Sequence, residues 1–327
     1  RPKCDPFVQH RNAPSLEEDS AVCVLGSDPI MYSEYLVPSV EGPVVVACDG
    51  APVSSEALFN AAQLASRVFG GAAQVVGVCK PTPSVAAGMD VLPVPTALDE
   101  ERRTAMLEDV RRAISISSAG DPAWQVDVLL GSPARVLATE ALRRHASVII
   151  MGIGRHNPLD RLFGAETTLA TLRESRVPVL AVCPSFPSKP MHAVVGLDFS
   201  DASIQAARLA ARFVAPNGRI TLVHVRPRFE HPTADWHAWD ADYGRTLPPL
   251  FESVRAQLYP TNAVIVETVT VRGDPAPSLL SFAQQAQCEL LAVGTQCHRV
   301  LERLIVGSVA TRLLRTARCS VLAVPSA

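Results

Sequence analysis

The chain repeats itself, and that limits the folds open to it. Val44-Val45-Val46-Ala47-Cys48-Asp49 is an apolar run ending in a carboxylate, and Ala193-Val194-Val195-Gly196-Leu197-Asp198 is the same pattern further on. In the same order, Gly131-Ser132-Pro133 is matched by Gly273-Asp274-Pro275, Val148–Gly152 by Leu290–Gly294, and Pro178–Val182 by Ser320–Val324. Two copies of one domain, differing in their loops, are the simple account. The length of 327 residues agrees, at roughly 150 residues per domain. A unit of that size hides about 70% of its unfolded surface, so neither copy needs a metal or disulfide staple.

Each copy alternates strand and helix. In the first, strands are expected at 44–48, 73–79, 124–130, 147–151 and 177–183, with helices near 54–68, 97–117, 134–144 and 165–174. The second repeats the strands near 192–197, 219–225, 264–271, 289–293 and 320–324. Short, continuously apolar strands separated by helices indicate a parallel sheet covered on both faces, and right-handed crossovers place the helices on both sides. The predicted fold class is α/β: two tandem open parallel-sheet, Rossmann-like domains at 43–184 and 191–327. A Pro-rich linker, 185–190, joins them. Residues 1–42 fit neither copy and are expected to form a partly ordered extension.

Composition excludes several classes of function. With 30 Lys and Arg against 32 Asp and Glu, the net charge is -2, which gives no electrostatic footprint for nucleic acid. No apolar run approaches the ~18 residues of a membrane helix. The opening Arg1-Pro2-Lys3-Cys4-Asp5 is not followed by a signal-peptide core, and the lack of an initiator methionine suggests a processing boundary. The 8 cysteines form no CxxC pair, which argues against structural zinc; Cys48, Cys79, Cys183 and Cys319, in or beside apolar runs, read as small buried hydrophobes of a reducing compartment, with a cytoplasmic location expected. There is no GxxxxGK[ST] loop, no GxSxG elbow and no evident general base, so the chain is not expected to be an enzyme.

Ligands of open parallel sheets sit beyond the carboxyl ends of the strands. There the second copy has Asp198, Val225 and the run Gly294-Thr295-Gln296-Cys297, nine residues, then Gly307-Ser308-Val309 before a helical stretch. Free amides at a helix start receive anions; Gly307-Ser308 also reads as an ordinary serine cap after a turn. The first copy has Asp49, Val78 and Gly152-Ile153-Gly154, then Gly164-Ala165-Glu166, with one spacing a residue short. His231, His237, Asp240 and Asp242, beside Trp236 and Trp239, read as a lid loop rather than a metal site, because their spacing is irregular.

These motifs resemble the universal stress protein family. Its ATP-binding members carry Gly-x-x-Gly, nine residues, then Gly-Ser or Gly-Thr after the fourth strand, and an Asp ending the first. The resemblance covers about 43–184 and 191–326 and is of the tandem type. It implies an adenine-nucleotide-alpha-hydrolase-like fold and a regulatory protein of the stress response that binds ATP, with or without magnesium, chiefly in the second copy. By the same resemblance, Asp198, Gly196 and Leu197 would face adenine and ribose. The Val225 backbone would meet adenine, Val293 and Gly294 would line the ribose, and Gly307, Ser308 and Val309 would hold phosphates. Cys297 replaces the second glycine of that pattern, and Ala165 and Glu166 depart from it in the first copy. Asp49, Val78, Gly152, Gly154 and Gly164 are the first copy's counterparts. A nucleotide-free interaction scaffold with degenerate clefts is the alternative. The family also suggests that the last strands, 177–183 and 320–324, pair edge to edge, making an intra-chain pseudo-dimer that could assemble into a homodimer.

Overall fold

The structure is a computed structural model, and it describes residues 41–51, 55–82, 96–153, 158–228, 234–258, 264–295 and 307–326, with the side chains of 158–164 and 234–235 set aside. The expected extension therefore lies almost wholly outside the described residues, as do Gly154, His231 and Cys297.

The first half runs β1 (Gly42–Ala47), α1 (Ser55–Phe69), β2 (Gly70–Cys79), α2 (Ala97–Ile116), β3 (Gln125–Leu130), α3 (Pro133–Arg143), β4 (Val148–Gly152), α4 (Pro158–Glu174) and β5 (Val179–Val182). The second half runs β6 (His192–Gly196), α5 (Asp201–Phe213), β7 (Arg219–Arg226), α6 (Ala234–Gln257), β8 (Ile265–Arg272), α7 (Pro275–Gln285), β9 (Leu290–Gly294), α8 (Ser308–Thr316) and β10 (Ser320–Val324). All the strands join one sheet in the order β3-β2-β1-β4-β5-β10-β9-β6-β7-β8. Pairing is parallel within each half. Among the described strands only β5 and β10 run antiparallel, with Leu180 opposite Leu322, as the expected edge-to-edge pairing requires.

The strands form where β-branched runs are shielded on both faces: Val44, Val45, Val46, Val148, Ile149 and Ile150 are all fully buried. One face carries α1, α2, α5 and α6 over a core that includes Phe59, Val110, Phe213 and Phe251. The other carries α3, α4, α7 and α8 over Leu137, Leu169, Leu279 and Leu313. Alanines on α1 (Ala57, Ala61, Ala65) and α5 (Ala202, Ala206, Ala210) let these helices lie close to the sheet. The approach is tight at Gly294, where an added Cβ would stand 2.6 Å from the Ser203 nitrogen.

Three boundaries depart from the sequence reading. β1 opens at Gly42, inside the segment assigned to the extension. α4 begins at Pro158, not near 165; proline suits a first helical turn, where no partner for its missing N–H is needed. The lid loop expected at His231, His237, Asp240 and Asp242 is helical from Ala234, so His237, Asp240 and Asp242 lie on α6. Trp236, Trp239 and Tyr243 fall at helical spacing there, and their rings stack in sequence.

Candidate functional site

In the second half β6 delivers Gly196, Leu197 and Asp198 to the carboxyl edge of the sheet. Leu197 is buried, and its amide donates to the Val223 carbonyl at 2.9 Å. Asp198 is exposed, and its Oδ1 accepts from the Ser200 amide at 3.0 Å and the Ser200 hydroxyl at 2.6 Å. Ser200 in turn caps α5, accepting from the Ser203 amide. Between them Phe199 takes a positive φ of 64°, a conformation that costs a non-glycine residue on the order of 1 kcal/mol. Its ring rests on His224 and edge-on against Phe251, so packing under α6 holds the turn.

His224 was not singled out from the sequence, where it sits within an apolar strand. Its Nδ1 is 2.8 Å from the Leu197 carbonyl and its Nε2 2.8 Å from the Tyr243 hydroxyl. The carbonyl can only accept, so Nδ1 carries the proton and Nε2 accepts from Tyr243. Burial lowers the His224 pKa, opposed by the bond to Leu197. Next along β7, the half-buried Val225 pairs with Val271. Arg226 then donates to the carboxylate and carbonyl of Asp240, which also accepts from Arg272. One carboxylate thus faces two guanidiniums at this end of β7 and β8.

Across the edge, β9 delivers Val293 and Gly294. Val293 and Gly196 are buried, the latter too close to Leu279 for any Cβ. They and Leu197 can offer a ligand backbone atoms alone. Gly294 has a packing reason, the tight passage of α5 described above. The Thr295 amide donates to the Val324 carbonyl at 2.9 Å, and the Gly307 amide to the Thr295 carbonyl at 3.3 Å. The start of α8 is thereby pinned beside the end of β9. Gly307 caps the helix with φ −53°, and no side chain closes the cap. Ser308 is exposed, and Val309 half-buried. The first helical amides have no intrahelical partner, and those of Ser308 and Val309 find none elsewhere among the described residues.

The first half is built differently. Asp49 is exposed at the end of β1, its Oδ1 accepting from the Ala51 amide at 3.0 Å. Asp49, Val78, Lys80, Arg102 and Asp109 share a cleft of about 450 Å³. Gly152 ends β4 opposite Val182. Gly164, expected just ahead of a helix, instead lies inside α4, so it cannot present free amides. Ala165 is buried, and the Glu166 carboxylate is taken by Arg315 of α8 at 2.7 Å. Among the described residues no group of three or more His, Cys, Asp or Glu could hold a metal ion.

A model of the universal stress protein family matches residues 42–182 and again 191–325. A universal stress protein of Methanocaldococcus jannaschii is 29% identical over 136 residues, spanning 40% of this chain and 79% of its own length. A universal stress protein of Archaeoglobus fulgidus, solved by crystallography, aligns with a TM-score of 0.56 at 17% identity, covering 88% of this chain and 97% of that one. A further universal stress protein was solved in complex with cAMP; it covers 42% of this chain and 99% of its own, at 23% identity and a TM-score of 0.33.

Proposed function

The chain belongs to the universal stress protein family, through two tandem copies of its domain, and from that premise we propose that it is a regulatory protein of the stress response that binds an adenine nucleotide in its second copy. The ligand is ATP, with or without magnesium. The observation that carries this reading is the start of α8, where the backbone amides of Ser308 and Val309 stand without partners among the described residues beside the exposed Ser308 side chain. Unpaired amides and the positive end of a helix suit phosphate oxygens. Binding rather than turnover fits the cleft, since His224 spends both ring nitrogens on protein partners and so offers no free base.

Calorimetric titration with magnesium ATP tests this. Saturable heat is expected, and Ser308→Ala should weaken binding by about fivefold, the worth of one hydrogen bond of roughly 1 kcal/mol. No heat at nucleotide concentrations up to about 1 mM, or an unchanged isotherm in Ser308→Ala, removes the reading. A second reading, a nucleotide-free interaction scaffold, is favoured by the first copy, where α4 swallows Gly164 and Glu166 is tied to Arg315. A native mass spectrum of untreated protein separates the two: an adduct of nucleotide mass favours binding, a clean apo mass the scaffold.

A further inference from the structure

Cys288 and Cys319 are 31 positions apart in sequence, too far for any spacing motif, yet their sulfurs lie 3.6 Å from each other. Cys288 closes the turn into β9 and Cys319 the turn into β10, two parallel neighbours whose register sets Ser320 against Leu290. The ladder therefore holds the two thiols side by side ahead of the paired strands. Neither is in a disulfide; Cys288 is buried and Cys319 partly exposed. Both line a cavity of about 510 Å³, shared with Gln284, Glu289, Arg318 and the linker residue Ser185. The pair sits at the amino end of β9 and β10, away from the cleft at their carboxyl ends.

We propose that Cys288 and Cys319 form a peroxide-reactive dithiol that closes reversibly to a disulfide. Cys319 is the more exposed of the two, so peroxide meets it first, while its sulfur accepts from the thiol of the buried Cys288. That bond, then burial, push the Cys288 thiol upward. The roles follow. The Cys319 thiolate attacks one oxygen of hydrogen peroxide, breaking the O–O bond; the departing oxygen leaves as water after taking a proton, and Cys319 becomes a sulfenic acid. The Cys288 sulfur then attacks the Cys319 sulfur, and the sulfenic oxygen leaves as a second water with the Cys288 proton. Two thiols and one peroxide give one disulfide and two waters, the sulfurs being oxidised by two electrons and the peroxide reduced by two. Passing its proton to the leaving oxygen gives the Cys288 sulfur the thiolate character that disulfide formation needs, and sulfenic acid is the oxidised precursor.

The experiment uses the full, reduced chain treated with hydrogen peroxide at a small molar excess, followed by alkylation of remaining thiols and peptide mass analysis. A cross-linked peptide pair joining Cys288 to Cys319, two hydrogens lighter than its reduced parts and released by dithiothreitol, is expected. In Cys288→Ser, Cys319 should stop at the sulfenic acid and be captured by dimedone. In Cys319→Ser, Cys288 should remain alkylatable after peroxide. Each variant is accepted only with the circular dichroism spectrum of the parent. Alkylation of both thiols in the peroxide-treated parent overturns the proposal, as does pairing of Cys319 with another cysteine, or dimedone capture on Cys288 in Cys319→Ser.

Discussion

His224 shows how one side chain can hold the floor of a cleft. It bonds the Leu197 carbonyl, accepts from Tyr243 and supports the Phe199 ring. Its pKa is lowered by burial, so below the ordinary histidine value of about 6.5 the unfolded chain takes up a proton that the folded protein refuses. Its contribution is complete above that pH and is lost as the pH falls. Urea unfolding from about pH 7 to pH 5 should therefore show falling stability. His224→Gln should flatten part of that slope, leaving the part owed to His192, which burial lowers in the same sense. An unchanged slope would contradict the assignment. The equivalent turn in the first copy uses Gly50 at φ 81°, where a Cβ would meet Asp109 at 2.8 Å. The sequence displays the matched aspartates, but not that one copy solves the turn with glycine and the other with a clamped phenylalanine. That choice is made by α2 and α6 from the far side of the turn.

Helix starts carry the difference between the copies. α2 opens with a capping box: Thr96 accepts from the Asp99 amide, and the Asp99 carboxylate accepts from the amides and hydroxyls of Thr96 and Thr82. The Thr96 bond, then those from Thr82, hold the Asp99 carboxyl well below its usual range. A depressed carboxylate stabilises the fold above its unfolded pKa, and the benefit is lost as the pH falls through the acid range. Asp99→Asn should therefore destabilise more at pH 7 than near about pH 3, where the unfolded carboxyl is already largely protonated. Chemical denaturation at both values checks this; a difference independent of pH would exclude the charged cap. Strand positions were legible because continuous apolar runs leave few alternatives. Helix starts were less so. Pro158 opens α4, where a proline is locally favoured but does not announce itself as a start, and Pro248-Pro249 read as a break yet lie within α6. The helix start at Gly307–Ser308 was legible, although Gly307 and not Ser308 is its cap, whereas the Cys288–Cys319 contact exists only because β9 and β10 are neighbours.

At the scale of the molecule the two copies share more than a sheet. Phe69 of α1 meets Phe213 of α5 edge-on, and Arg212 lies over Phe69 while donating to the Val68 carbonyl. On the opposite face Arg315 pairs with Glu166. Each hydrophobic core includes residues of both copies. Unfolding should accordingly be one cooperative transition by calorimetry and by fluorescence. Leu322→Ala, in the fully buried strand opposite Leu180, should lower stability by about 2–5 kcal/mol without splitting that transition. Two separable transitions would show that the copies fold independently. Among the described residues no helix is long and apolar enough to cross a membrane.

The antiparallel seam between β5 and β10 has a geometric outcome. Strands within a half all point one way, and the seam reverses the direction from one half to the other. The two clefts must then open on opposite poles of the molecule, so no small partner can straddle both mouths. Any coupling between the two clefts would have to run through the interior they share.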